Sequence, residues 1–120
     1  ADEYARLLPE RLDLIILGVG ADGHTASLFP GSSALRERVR KVVAVVGPKA
    51  PPHRLTVTPP VIAAAVNKIV LVSGSGKAGA VAQALEGPQN PDACPAQLAC
   101  DGIWIMDRAA ASGLRHKPPR

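Results

Sequence analysis

Chemistry in this 120-residue chain concentrates in three short stretches, of which "LGVGADGHTASLFPG", Leu17 to Gly31, is the richest. Its Gly18, Gly20 and Gly23 spell G-x-G-x-x-G, the pattern of a dinucleotide cradle. Such a cradle needs the third glycine to open a long helix and an acid at the end of the next strand. Pro30 arrives too soon for the first condition, and the strand near Val42 to Val46 runs into Gly47 and Pro48 without a carboxylate. What remains is Asp22 and His24, two apart across a glycine at the C-terminal mouth of a strand. A carboxylate beside an imidazole fixes its tautomer and supports the cation it becomes on taking a proton, which suits general base work near neutral pH. A solvent-facing histidine on a glycine turn is the plainer alternative.

The second stretch, "PPHRLTVTPP", offers Arg54 just ahead of a predicted helix start, where an anion is favoured. A planar guanidinium matches phosphate oxygens two at a time, although an isolated arginine is also an ordinary surface charge. The third, "VSGSGKAGAV", resembles a P-loop only superficially. Leu71 stands where its first glycine belongs, and Ala78 replaces the hydroxyl that would hold magnesium. Lys77 can still serve a phosphate as a point charge at a helix opening.

The elements that must carry these loops read as α/β. "LDLIILG" (12–18), "KVVAVVG" (41–47), "KIVLVSG" (68–74) and "GIWIMD" (102–107) are short apolar runs without in-out alternation, as expected of parallel strands covered on both faces. Helices are predicted between them: "GSSALRERVR" capped by Ser32 or Ser33, "TPPVIAAAVN" capped by Thr58 with Pro59 and Pro60 in its first turn, "KAGAVAQALEG" closed by Gly87, and "DRAAASGL" closed by Gly113. Residues 87–100 read as a loop with one turn at "PAQLA", and 115–120 as a frayed tail. The whole chain, 1–120, is predicted to be a single doubly wound α/β domain.

Composition narrows the partners. Hydrophobic residues make up 47% of the chain, enough for a core, but Tyr4, Phe29 and Trp104 are the only aromatics, which disfavours base-stacking modules. The net charge of +4 suits an anion and would support only weak, salt-sensitive nucleic-acid binding. The run Arg36, Arg38, Arg40 and Lys41 reads as a solvated helix face. Cys94 and Cys100 lack a zinc spacing, so no metal is expected, and a reducing cytoplasmic setting is the simplest reading. No apolar run approaches the ~20 residues of a membrane span. The chain starts at Ala1 on a helix already under way, which suggests a piece of a longer protein.

"DLIILGVGADGHTASLFPGSSAL", Asp13 to Leu35, resembles the signature of the 6-phosphogluconolactonases, G-x-G-x-D-G-H-T-A-S-L-F-P. "RLTVT" is similar to that family's R-x-T-x-T, and the glycine-rich turn before Lys77 to its G-x-x-K. The closing strand, with Trp104 for packing and Asp107 as a helix cap, also looks like the family's. The resemblance implies the doubly wound sugar-phosphate isomerase/CoA-transferase-like fold, in its C-terminal half only, without the serine- and glycine-rich phosphate loop of the N-terminal half. It implies hydrolysis of 6-phospho-D-glucono-1,5-lactone to 6-phospho-D-gluconate in the oxidative pentose phosphate pathway. His24 would draw a proton from water, Asp22 would orient it, and Arg54 and Lys77 would hold the phosphate. Backbone around Gly20 and Gly23 would face the sugar or the developing oxyanion. No cofactor, metal, nucleic acid or membrane is implied; the partners are a phosphorylated lactone and the missing half of the domain.

Two alternatives stay open. The glucosamine-6-phosphate isomerase/deaminases share the D-G-H, but their pattern continues toward a glutamate, whereas Phe29 precedes Pro30 here. A non-catalytic sugar-phosphate-binding fragment would keep the loops without turnover.

Overall fold

The computed structural model describes residues 1–116. In chain order it contains α1 (Asp2–Leu7), β1 (Leu14–Leu17), β2 (Val42–Val46), β3 (His53–Val57), α2 (Pro59–Ala64), β4 (Asn67–Val72), α3 (Ala78–Glu86) and β5 (Ile103–Met106). Single 3-10 turns cover Ser33–Arg36, Ser75–Lys77 and Pro95–Ala99.

Three of the four predicted strands form the parallel sheet, in the order β1-β4-β5. Ile16 lies beside Ile69, which lies beside Ile103; Leu71 lies beside Ile105. The other parity, Ile15, Leu17, Val70 and Val72, is buried under α2, α3, the Pro95–Ala99 turn and the segment Ala110–Leu114 in one apolar cluster with Leu28, Ile62, Val81 and Cys94. Burying each Val, Leu or Ile side chain contributes roughly 1.5–3 kcal/mol.

The opposite face is bare. Leu14, Ile16, Leu71, Ile103 and Ile105 are 45%, 58%, 49%, 66% and 53% exposed. The strands are apolar on both parities as a parallel sheet requires, yet the described residues supply a covering layer to one face only. In a parallel sheet such a surface is the seat of a further layer.

Several expectations are corrected. The run at 41–47 is not a parallel strand: β2 pairs antiparallel with β3 in a separate two-stranded ribbon, with Val45 opposite Arg54. The helix expected at "GSSALRERVR" is a single 3-10 turn, because the Glu37 carboxylate accepts the N–H groups of Arg38, Val39 and Arg40 and so rewards a turn over a helix. Those three hydrogen bonds, led by Arg40 and Val39, hold the Glu37 carboxyl below its usual pKa. Thr58 precedes α2 but its hydroxyl donates to the Arg40 carbonyl (2.6 Å) rather than capping the helix. "DRAAASGL" forms successive turns, not a helix. Of the predicted tail, 117–120 lies outside the described residues; the N–H groups of Arg115 and His116 donate to Glu86.

The two faces differ measurably. In the 120-residue chain, Ile62→Ala is expected to cost about 2–5 kcal/mol in urea denaturation. Ile16→Ala on the bare face should cost no more than about 0.5 kcal/mol.

Candidate active site

The site is a loop folded onto itself at the end of β1. The Thr25 hydroxyl, buried, donates to the Gly18 carbonyl (2.8 Å). The N–H of Gly20 donates to the His24 carbonyl and that of Gly23 to the Gly20 carbonyl, both at 2.9 Å. Gly23 has φ of +90°, the left-handed region that favours glycine, and a β-carbon there would meet Cys94 Sγ at 3.1 Å. Its carbonyl accepts from the Ala96 N–H (2.9 Å), so the Pro95–Ala99 turn is the floor of the loop. Burial under Gly23 pushes the Cys94 thiol up in pKa and makes it packing rather than chemistry.

Gly20 is needed for another reason: a β-carbon there would fall on the imidazole of His24 and close to the Asp22 carboxylate. Both amides that sequence reasoning offered to an oxyanion, Gly20 and Gly23, are therefore spent inside the turn. The glycines shape the site through the space they leave.

His24 Nδ1 and Asp22 Oδ1 are 2.5 Å apart, and the same carboxylate oxygen accepts the His24 N–H at 3.1 Å. This geometry favours the ring proton on Nδ1 and leaves the Nε2 lone pair for a substrate or water. Partial burial works to raise the Asp22 pKa, but the hydrogen bonds from the His24 N–H and imidazole, with the imidazole's charge, outweigh it and hold the carboxyl below its usual value. The side chains remain 30% and 41% exposed, so the pair opens to solvent.

Arg54 reaches the loop from β3, a strand where sequence reasoning saw only a loop. The Thr56 hydroxyl ties that strand down by accepting the Ser27 N–H (3.1 Å) and donating to the Val57 carbonyl (2.8 Å). The guanidinium lies over the Phe29 ring, 5.6 Å from its centroid, and Nε donates to the Pro51 carbonyl at 2.9 Å. The other neighbour of Phe29 is the His24 ring, at 4.8 Å between centroids and tilted by 42°.

Lys77 arrives from the far side. Gly74, at φ +97°, starts its turn, and the Asp107 carboxylate fixes that start by accepting the Gly74 N–H (3.1 Å) while capping Ala110 (2.8 Å). These two bonds, Ala110 first, hold the Asp107 carboxyl below its usual pKa. Lys77 Nζ donates to the Val19 carbonyl at 2.7 Å, inside the same loop as His24. An ammonium has three N–H donors, so two remain for an anion.

Asp22, His24, Arg54 and Lys77 are thus gathered on one loop. Sequence reasoning missed Thr25, Thr56 and Phe29 as the groups that gather them, and gave Asp107 only its cap. The signal was present in "HTASLF" and "RLTVT", where a threonine lies one or two residues from each charged group. Among the described residues, no group of three or more His, Cys, Asp or Glu side chains is placed to hold a metal ion. No helix among them is long and apolar enough to cross a membrane.

A parallel sheet whose first loop carries a carboxylate-braced histidine and is met by two basic side chains defines an α/β site that joins a candidate base to candidate anion-binding groups. The family profile described as glucosamine-6-phosphate isomerases/6-phosphogluconolactonase matches residues 1–104, and the chain belongs to that family. It is 43% identical over 125 residues to a rat 6-phosphogluconolactonase, covering 92% of this chain and 48% of that one. It is 46% identical over 106 residues to a 6-phosphogluconolactonase of Mycobacterium tuberculosis, with 85% and 42% covered. The crystal structure of 6-phosphogluconolactonase from Leishmania guyanensis superposes with a TM-score of 0.74 at 33% identity, over 88% of this chain and 43% of that one. The chain spans about half the length of the relatives it matches.

Because the folded pKa of Asp22 lies below the usual 3.8, its brace on His24 is complete above the unfolded value and is lost as pH falls through the folded one. An NMR titration of the Asp22 carboxyl should give a midpoint below 3.8. The midpoint should move upward in His24→Ala, which removes the imidazole's bond and charge.

Proposed function

We propose that the complete protein hydrolyses 6-phospho-D-glucono-1,5-lactone to 6-phospho-D-gluconate. The observation that carries this reading is the convergence of His24, Arg54 and Lys77 on the Gly18–Phe29 loop. It is supported by relatives named 6-phosphogluconolactonase at 43% and 46% identity.

In this mechanism the lone pair of His24 Nε2 takes a proton from a water as its oxygen attacks the lactone carbonyl, and Asp22 stabilises the imidazolium that results. The proton then passes to the ring oxygen as the C–O bond opens, leaving a carboxylic acid that ionises. Arg54 and Lys77 hold the remote phosphate, so that binding energy aligns the ester with the base. Gly20 and Gly23 contribute by letting the loop close around the imidazole. The remaining half of the family domain is the proposed partner: it brings the layer that the bare face of β1, β4 and β5 lacks and completes the cleft. Two unpaired cysteines, Cys94 and Cys100, suit a reducing cytoplasmic setting.

The family description also covers glucosamine-6-phosphate isomerases. Phe29 in place of a carboxylate argues against ring-opening proton transfer in that manner.

The test uses a domain of full family length. His24→Asn is expected to lower kcat by about 10²–10⁴-fold over the spontaneous background. Arg54→Ala should act mainly on KM, by about 10- to 100-fold, as loss of a charged hydrogen-bonded contact does. Ammonia release from glucosamine 6-phosphate, exceeding turnover of the lactone, would assign the other branch of the family.

A further inference from the structure

Phe29 is in contact with both the candidate base and the candidate anion-binding arginine of this site. The residue is 8% exposed, and its ring centroid lies 4.8 Å from that of the His24 ring and 5.6 Å from Arg54 Cζ. An aromatic face accepts a guanidinium favourably, and a phenyl ring has few rotamers and a fixed thickness. It is therefore a stiff common support for the imidazole and the guanidinium, each of which packs against it.

The ring packs closely against the backbone of Gly47, where no side chain intervenes. A β-carbon at Gly47 would stand 3.0 Å from Phe29 Cε2, 3.2 Å from Cζ and 3.3 Å from Arg54 Nε. The hairpin cannot yield freely there, because the Gly47 N–H donates to the Pro52 carbonyl at 2.6 Å and Arg54 Nε to the Pro51 carbonyl. Ring, guanidinium and hairpin backbone are thus packed together, so that a change in the ring's size or position is passed to the groups that touch it.

We propose that Phe29 is a positioning residue whose ring sets the spacing between His24 and Arg54, and so selects esters whose carbonyl stands a fixed length from a phosphate. The proposal rests on the lactonase reading above and deepens it, turning a phosphate-binding contact into a ruler for substrate length. A substrate without phosphate gains nothing from the ruler and is insensitive to it.

Two substitutions perturb the spacing from opposite sides. Phe29→Leu keeps an apolar side chain but removes the ring; Gly47→Ala leaves the ring and presses on its edge and on Arg54. Both are made in a domain of full family length, with melting temperatures recorded, and kcat and KM are measured on 6-phosphogluconolactone and on unphosphorylated glucono-1,5-lactone. A displacement of about 1 Å should lower kcat/KM on the phosphorylated ester by about tenfold to 10²-fold, with kcat falling as well as KM rising, while the unphosphorylated ester changes by less than about threefold. If both esters fall in parallel, or the preference for phosphate is undiminished in both variants, the ring is mere packing and the proposal is overturned. Should Phe29→Leu fail to fold, Gly47→Ala decides alone. A wild-type enzyme that does not prefer the phosphorylated ester would instead refute the phosphate-binding reading on which the ruler stands, and is recognised before any variant is made.

Discussion

The imidazole of His24 occupies the space that a side chain at residue 20 would need, and the rest of the site is arranged around that substitution of one group for another. With the ring folded back over Gly20, its Nδ1 meets Asp22, its flank meets Phe29, and the turn closes through the hydrogen bond that the Gly20 N–H donates to the His24 carbonyl. Any bulk at residue 20 would press the ring outward and disturb its contacts with Asp22 and Phe29. Two of the glycines that look like a nucleotide cradle thus serve an inward purpose: Gly20 leaves room for the imidazole, and Gly23 for Cys94 beneath the loop.

From that centre the remaining charges follow by short links. Thr56 fastens β3 to Ser27 and so brings Arg54 over Phe29; Asp107 fastens Gly74 and so brings Lys77 to the Val19 carbonyl. The site is assembled from β1, the β2–β3 ribbon and the β4–α3 turn, elements remote in sequence. Each charged side chain keeps free donors or a lone pair toward solvent. Desolvation by a substrate would strengthen every one of these interactions.

Much of this was legible in the order of residues, for a physical reason. Asp22, Gly23 and His24 are adjacent, so their geometry is local and follows from a glycine turn at a strand end. Lys77 and the parallel strands could be read because apolar runs, glycine turns and an alanine-rich helix repeat in order. The β2–β3 ribbon could not be read: "HRLTV" is bracketed by prolines and carries two polar groups, and it becomes a strand only through pairing with Val42–Val46. The helix at "GSSALRERVR" failed because one carboxylate, Glu37, outcompetes helical bonding for three amides. The role of Phe29 is a tertiary fact, set by Gly47 and Arg54 from another hairpin. The bare face is the subtler case, since β1 and β5 are apolar on both parities and sequence alone cannot say which half of a domain covers which parity.

A chain that spans about half the length of its relatives and leaves one sheet face uncovered still holds an internally braced histidine and two tethered cations. The central claim is that these three groups address one ligand. It is tested most directly by a crystal structure of the full-length domain with 6-phosphogluconate bound. The account predicts the phosphate in ion-pair contact with both Arg54 and Lys77 and the C1 carboxylate at His24 Nε2. A product whose phosphate is held elsewhere, with Arg54 and Lys77 still engaged only by Pro51 and Val19, would contradict it.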